Sequence, residues 1–152
     1  MIADRIEREI RIEAPIDVVW SIVTEPEQIP HWFADVVDVE LVPGAEGTFT
    51  FRKYDTPATI NVHIERLEPP HHFAFRWAYP DGAEPDATNA PLVEFTLTEE
   101  GDETTRLTLV ESGLRGLEWD DGEKERYVAG HSRGWDTCVR LLEEYLQQAA
   151  AR

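Results

Sequence analysis

The C-terminal third of the chain contains the sequence VAGHSRGWDTCVRLLEEYL, residues 128–146. Its apolar residues, together with His131 and Trp135, recur every three or four positions. On a helix these positions fall within one stripe, roughly 100° wide, and charged residues fill the opposite side. The pattern predicts a single long amphipathic helix over about residues 120–150, which must bury its apolar stripe against another layer of the protein.

Two glycines interrupt this predicted helix, and glycine in a helix interior costs about 0.5–1 kcal/mol relative to alanine. Gly130, Gly134 and Cys138 follow one another at i,i+4 spacing and form a ridge of small residues on the flank of the stripe. Such a ridge allows a neighbouring backbone to approach closely, so we expect another element to pack there. Asp136 and Arg140 are spaced for an ion pair one turn apart.

Alternating apolar and polar residues dominate the first two thirds of the chain, a period typical of half-buried β-strands. The seven predicted strands cover about residues 4–13, 36–42, 48–54, 59–67, 72–79, 92–98 and 105–111. Two short helices, over about residues 16–23 and 26–33, lie between the first strand and the second. Because most connections are too short for parallel crossovers, the strands should pair antiparallel. The order predicts an α+β fold in one domain over residues 1–152: a curved seven-stranded antiparallel sheet that wraps the long helix.

Composition excludes several classes of function. The 152 residues include 14 Lys and Arg against 31 Asp and Glu, and the formal net charge is −17. This charge repels nucleic-acid phosphates and anionic membrane surfaces, so we expect neither as a partner. The N-terminus lacks an apolar run long enough for a signal peptide or a membrane span, and the single cysteine precludes an internal disulfide. These features predict a cytoplasmic protein.

Five segments resemble one known family. They comprise residues 10–33, 47–51, 64–77, 105–114 and 134–146, and they include GTFTF, RLEPPHHFAFRW and TRLTLVESGL. Their order along almost the whole chain is similar to the Hsp90-ATPase-activator-homologue-like (AHSA1-like) family, a branch of the START/Bet v 1-like (SRPBCC) superfamily. The resemblance implies a helix-grip fold with a deep cavity between the sheet and the long helix. Such cavities usually hold a hydrophobic or amphipathic small molecule, although members range from lipid and hormone carriers to polyketide cyclases and chaperone-linked modules.

Strand alternation predicts which residues face the long helix and would line this cavity. These are Phe49, Phe51, Val62, Phe75, Trp77, Phe95 and Leu109. A wall so rich in aromatic rings is equally compatible with a solid core that leaves no opening. The residues alone do not choose between the two, whereas the family resemblance favours a real pocket.

Polar residues in phase with this apolar wall are the candidates for contact with a ligand. Glu111 keeps step with Leu109, and Lys53 keeps step with Phe51. A carboxylate buried there would have a raised pKa and could act as an acid or a base. Both positions lie near strand ends, however, where half-solvated side chains without a functional role are common.

The long helix contributes further candidates. His131 lies near the centre of its apolar stripe, next to Trp135, and is either a hydrogen-bonded core residue or a contact for a ligand. Trp119 and Tyr127, near the start of the helix, are either rim residues of the cavity or packing residues. Cys138 lies two turns from His131, roughly 10 Å along the helix, so the two cannot form a catalytic dyad.

No recognised catalytic motif occurs in the sequence, and its five histidines lack the spacing of metal ligands, so we expect no cofactor and no metal. The leading interpretation is a non-catalytic or weakly catalytic protein that binds a small hydrophobic or amphipathic molecule. Two alternatives remain. One is an interaction module similar to the Hsp90 co-chaperone domain, and the other is a cyclase- or hydrolase-type enzyme that uses Glu111 and His131 as acid and base. A homodimer also stays open.

Overall fold

The architecture predicted from the sequence is confirmed. In the computed structural model, which describes residues 3–52 and 57–150, seven strands form one antiparallel sheet and a 30-residue helix packs against it. The strands are β1 (Arg5–Ile12), β2 (Val36–Asp38), β3 (Glu46–Phe51), β4 (Ala58–Glu68), β5 (His72–Trp77), β6 (Leu92–Glu99) and β7 (Thr105–Ser112). The helices are α1 (Ile16–Thr24) and α2 (Asp121–Ala150), and a single 3-10 turn covers Ile29–His31.

The strands lie in the order β1-β7-β6-β5-β4-β3-β2. Strands β2 to β7 therefore follow one another across the sheet as successive hairpins, whereas β1 pairs with β7, as in the register Ile6↔Glu111. Between β1 and β2, α1 and the 3-10 turn carry the chain from one edge of the sheet to the other. The buried residues of the strands and of α2 form one hydrophobic core in the layer between them.

The second strand is shorter than the sequence predicts. Its pairing with β3 ends at Asp38, and residues 39–42 do not continue the ladder. The reason is that the chain turns towards β4 directly after them, where the Gly44 N–H donates to the carbonyl of Ile64 at 2.8 Å. Within residues 39–42 the Val42 N–H donates to the carbonyl of Glu40, and the bonds to β4 begin with Gly44 and Ala45.

The expected packing against the helix glycines is wrong. A Cβ built on Gly130 or Gly134 meets no atom of the described residues within 4 Å, so no element packs closely there, although Cys138 in the same row is buried. The opposite holds for Gly47 in β3, where a Cβ would lie 2.6 Å from the Cβ of Val39. Close approach of two backbones requires glycine at the edge of the sheet and not in α2.

Arg8 links β1 to α2. Its side chain lies in phase with the buried residues of β1 and reaches the helix, where Nε donates to the carboxylate of Asp136 and Nη2 to the hydroxyl of Ser132, each at 2.7 Å. The expected ion pair between Asp136 and Arg140 is therefore wrong, because Arg140 pairs with Glu144 at 3.2 Å. A contact between distant elements replaces the local helix contact.

Candidate functional site

Two strands bring polar side chains together at one end of the sheet. β5 and β7 are both antiparallel to β6, so they run in the same direction and their C-terminal ends lie at the same edge. Trp77 is the last residue of β5, and Glu111 is the penultimate residue of β7. Both point towards α2 because they continue the alternation of the buried residues that precede them in their strands.

α2 presents a row of three side chains to the same place. Tyr127, His131 and Trp135 are spaced by four residues and so share one face of the helix. Trp135 stacks on Trp77 with ring centroids 5.5 Å apart, and the imidazole of His131 meets the same indole edge-on at 5.3 Å. Tyr127 stacks on His131 with centroids 3.6 Å apart. The row therefore packs directly over the ends of β5 and β7.

Glu111 lies at the centre of this arrangement and is 0% exposed. Its Oε1 accepts hydrogen bonds from Nδ1 of His131 at 3.0 Å and from Nε1 of Trp135 at 2.9 Å. Its Oε2 accepts from Nε1 of Trp77 at 2.9 Å and from the hydroxyl of Tyr127 at 2.6 Å. A carboxylate has about four acceptor positions, so these donors saturate it. We refer to the five residues as the Glu111 cluster.

The electrostatics of the Glu111 cluster contradict one expectation. Burial by itself raises the pKa of Glu111, but the charge of His131 and the hydrogen bonds from the cluster outweigh it, so the pKa lies below its usual value. The expected upward shift is therefore wrong, and Glu111 is an ionised acceptor at neutral pH. The pKa of Tyr127 is raised well above its usual value, because its hydroxyl is buried and lies beside the Glu111 carboxylate.

Side chains fill the space in which the family resemblance implies a deep cavity. The predicted wall residues are all buried in the layer between the sheet and α2; they are Phe49, Phe51, Val62, Phe75, Trp77, Phe95 and Leu109. Phe33, which follows the 3-10 turn, packs in the middle of this layer, with its ring 5.1 Å from Phe51 and 5.6 Å from Trp135. Phe33 is not among the wall residues predicted from the sequence, where its only signal is its place in an apolar pair with Trp32.

Two aromatic residues form the outer edge of the Glu111 cluster. Tyr79, which is 39% exposed, contacts the rings of Trp119 at 4.8 Å and Tyr127 at 5.5 Å. Trp119 therefore lies at the rim, whereas Tyr127 is buried beneath it. Tyr79 is a rim residue that was not among the predicted site residues, although it is in phase with Phe75 and Trp77. The side chain of His131 is 24% exposed, so the cluster reaches the surface here. The other polar candidate, Lys53, lies outside the described residues.

Two open pockets of the described surface lie away from the Glu111 cluster. One of about 530 Å³ is on the outer face of the sheet, lined by Glu46, His63, Glu65, Arg76, Pro85, Asp86 and Ala87. Another of about 380 Å³ lies between α1 and the C-terminal part of α2, lined by Asp17, Val18, Ser21, Ile22, Gln28 and Tyr145. Neither includes a residue of the Glu111 cluster.

Residues 3–52 and 57–150 contain neither a cluster of metal ligands nor a membrane-spanning helix. No three His, Cys, Asp or Glu side chains in these ranges are grouped so that they could hold a metal ion. No helix formed by them is both long enough and apolar enough to cross a membrane.

The sequence profile of one family covers most of the chain. The family described as "Activator of Hsp90 ATPase homolog 1-like protein" matches residues 13–147, a range that begins directly after β1 and includes all the other strands and most of α2. The chain belongs to this family. The AHSA1-like resemblance seen in the sequence is thus confirmed, together with the helix-grip arrangement of sheet and helix. No curated protein matches this AHSA1-like chain.

Solved structures share the fold of this AHSA1-like protein. DynU16, from the dynemicin biosynthetic locus, is 26% identical over 97% of this chain with a TM-score of 0.73, and the chain spans 48% of that protein. CalU16 from Micromonospora echinospora is 26% identical over 97% of this chain and 79% of its own, with a TM-score of 0.69. The Aha1 dimer from Colwellia psychrerythraea is 19% identical over 93% of this chain and 95% of its own, with a TM-score of 0.67.

Proposed function

We propose that this AHSA1-like protein binds a small hydrophobic or amphipathic molecule between the sheet and α2, at the Glu111 cluster. The observation that carries the proposal is a fully buried carboxylate that holds four polar side chains within an otherwise apolar layer. Burying a charge is costly, and well-packed apolar side chains often stabilise a core equally well. A few polar groups placed among aromatic rings are, by contrast, the usual composition of a small-molecule site.

The rim of the Glu111 cluster offers the route for a ligand. The layer itself is filled, so a ligand binds by displacing rim side chains and not by entering an empty cavity. Trp119 belongs to the connection between β7 and α2, which lies outside the regular elements. The neighbouring Glu118 N–H donates to the carbonyl of Thr88 at 2.9 Å. Because loop segments move more readily than helices and strands, the rim can open while the sheet and α2 stay in place.

A relative supports a small molecule as the ligand. DynU16 is described as a putative protein in the dynemicin biosynthetic locus and is 26% identical to this chain. The chain spans about half of DynU16, so the support concerns the shared domain only.

Native mass spectrometry of the purified protein tests the proposal by detecting a co-purified ligand. Tryptophan quenching with fatty acids, flavonoids and fluorescent lipids then measures affinity. Trp119→Ala should weaken binding roughly 2- to 10-fold, because an aromatic contact is worth about 0.5–1.5 kcal/mol. The matched control is Arg76→Ala, which changes the outer-face pocket and should leave binding unchanged. Absence of any micromolar binder, or a binder lost only in Arg76→Ala, would refute the proposal.

An enzyme of cyclase or hydrolase type is a second candidate, because Nδ1 of His131 and Oε1 of Glu111 meet at 3.0 Å, within the reach that acid–base catalysis needs. Glu111 is saturated with hydrogen bonds, so His131 is the group of this pair that could exchange a proton with a substrate. Product release from a panel of aryl esters tests this candidate. Turnover that survives His131→Gln would exclude it.

A chaperone partner is a third candidate, favoured by the description of the family. An interaction surface needs exposed apolar side chains, and Val18, Val36 and Val42 are between 36% and 44% exposed. The ATPase rate of an Hsp90 homologue, measured with and without this protein, tests the idea, and an unchanged rate would count against it.

A homodimer, the state named for the Colwellia relative, is tested by light scattering of the purified protein.

A further inference from the structure

One nitrogen in the Glu111 cluster remains for a ligand. Nδ1 of His131 lies 3.0 Å from the ionised carboxylate of Glu111, and a carboxylate only accepts hydrogen bonds, so Nδ1 must carry a hydrogen. The opposite nitrogen, Nε2, then holds either a lone pair or a second hydrogen. Among the described residues, Nε2 of His131 makes no hydrogen bond. The folded protein therefore uses only one of the two ring nitrogens of His131 in a hydrogen bond.

Glu111 itself cannot serve as the contact. Its two oxygens already accept four hydrogen bonds, from Trp77, Tyr127, His131 and Trp135, and a ligand donor would have to displace one of them. The carboxylate acts on a ligand only through His131. A carboxylate that holds Nδ1–H fixes the tautomer and the orientation of the ring. Glu111 is thus a positioning residue, and Nε2 is the contact.

The surroundings of the imidazole restrict the shape of the ligand. The ring of Tyr127 covers one face at 3.6 Å, and the indole of Trp77 meets the imidazole at 5.3 Å and 88°. Glu111, which is fully buried, lies at the Nδ1 edge, so the 24% of the side chain that is exposed is left for the far edge of the ring. Trp119 and Tyr79 stand at the rim beside Tyr127, where a flat apolar molecule can stack on them.

We propose that the ligand is an aromatic molecule with a phenolic or enolic hydroxyl, whose oxygen shares one proton with Nε2 of His131. This inference rests on the ligand-binding function proposed above. With a neutral imidazole the hydroxyl donates to the Nε2 lone pair, and with an imidazolium the ligand oxyanion accepts from Nε2–H. The proton count of the complex is the same in both cases, because the transfer breaks the O–H bond of the ligand and forms the Nε2–H bond of His131, and no other covalent bond changes.

Electrostatics favour a neutral hydroxyl over a permanent anion. An ionised carboxylate loses far more hydration on burial than a hydroxyl does. A second carboxylate would also come near the buried Glu111, in a protein whose formal net charge is −17, which repels anions approaching from solution. An acidic hydroxyl avoids both costs because it arrives uncharged.

Three probes of one shape test the inference: 2-naphthol, 2-methoxynaphthalene and 2-naphthoate, titrated by calorimetry into the wild-type protein. 2-Naphthol should bind about tenfold more tightly than 2-methoxynaphthalene, the gain expected of a hydrogen bond to a partly buried polar group, and more tightly than 2-naphthoate. In His131→Gln this preference should disappear, while the affinity for 2-methoxynaphthalene stays unchanged. His72→Gln is the matched control, since this outer-face histidine is similarly exposed (21% against 24%).

The outcomes separate this inference from the function on which it rests. Equal binding of 2-naphthol and 2-methoxynaphthalene by the wild-type protein overturns the hydroxyl class and leaves a binding function intact. A preference that survives in His131→Gln overturns the role of Nε2. Tighter binding of 2-naphthoate overturns the choice of a neutral hydroxyl. If none of the probes binds, the proposed function fails for aromatic ligands and the inference fails with it. The wild-type comparison needs no variant, so it holds even if His131→Gln folds poorly.

Discussion

Replacing the Glu111 carboxylate by an amide is the sharpest test of how the cluster is held together. The amide introduced by Glu111→Gln has nearly the same shape, but one oxygen becomes an NH2 group that donates hydrogen bonds. The two indoles contact different oxygens, Trp77 on Oε2 and Trp135 on Oε1. An indole N–H donates only. Whichever way the amide is turned, one indole therefore faces another donor.

The cost of this substitution can be estimated from the contacts. A buried donor without an acceptor costs about 1–3 kcal/mol, and each of the two bonds still made to the amide oxygen loses about 1 kcal/mol when the acceptor is no longer charged. The expected loss in the free energy of unfolding is about 3–5 kcal/mol, in line with other buried ion pairs from which one partner is removed. This is a large part of the roughly 5–15 kcal/mol that stabilises a typical domain.

Equilibrium urea denaturation of the wild-type protein and Glu111→Gln measures this loss. The matched control is Glu99→Gln, which makes the same chemical change at an exposed position at the end of β6 and should alter the free energy of unfolding by less than about 0.5 kcal/mol. A loss below about 1 kcal/mol in Glu111→Gln, with the control unchanged, would show that the four hydrogen bonds do not stabilise the fold as argued.

Three further predictions concern pH and the glycines. Because the pKa of Glu111 in the folded protein lies below its usual 4.5, its stabilisation is full above that pH and declines as the pH falls. The difference in unfolding free energy between wild type and Glu111→Gln should therefore shrink in acid, and a constant difference would contradict the shift. The pKa of Tyr127 is raised above 10.0, so the stability from its protonated hydroxyl is present below pH 10.0 and is lost as the pH rises through the folded value. Ultraviolet absorbance should show one of the four tyrosines ionising only on unfolding, and titration of all four in the folded state would disprove this. Gly134→Ala should stabilise the protein by roughly 0.5–1 kcal/mol, because the added Cβ enters open space. Gly47→Ala should destabilise it by roughly 1–3 kcal/mol through overpacking. Thermal melts in which Gly47→Ala is the more stable variant would refute this account of where glycine is required.

The sequence predicted which residues belong to the site, but it did not predict the contacts between them. Strand alternation placed Trp77 and Glu111 on the face towards α2, and helix spacing placed His131 and Trp135 on one stripe. Tyr127 was predicted only as a rim or packing residue near the helix start, and the structure brings all five together. The sign of the Glu111 pKa shift could not be foreseen. Burial raises this pKa and hydrogen-bond donors lower it, and the donors come from residues 16 to 34 positions away.

The linear sequence determined the elements, their order and the family, because apolar periodicity is a property of neighbouring residues and survives whatever the elements pack against. Only the tertiary structure decided what occupies the space between sheet and helix. Phe33, from a segment without regular structure, fills the centre of this space. Arg8 pairs with Asp136, and Arg140 pairs with Glu144 instead. Contacts between side chains that are distant in sequence determine the packing density, the saturation of hydrogen bonds and the balance between burial and charge. No local sequence pattern encodes these contacts.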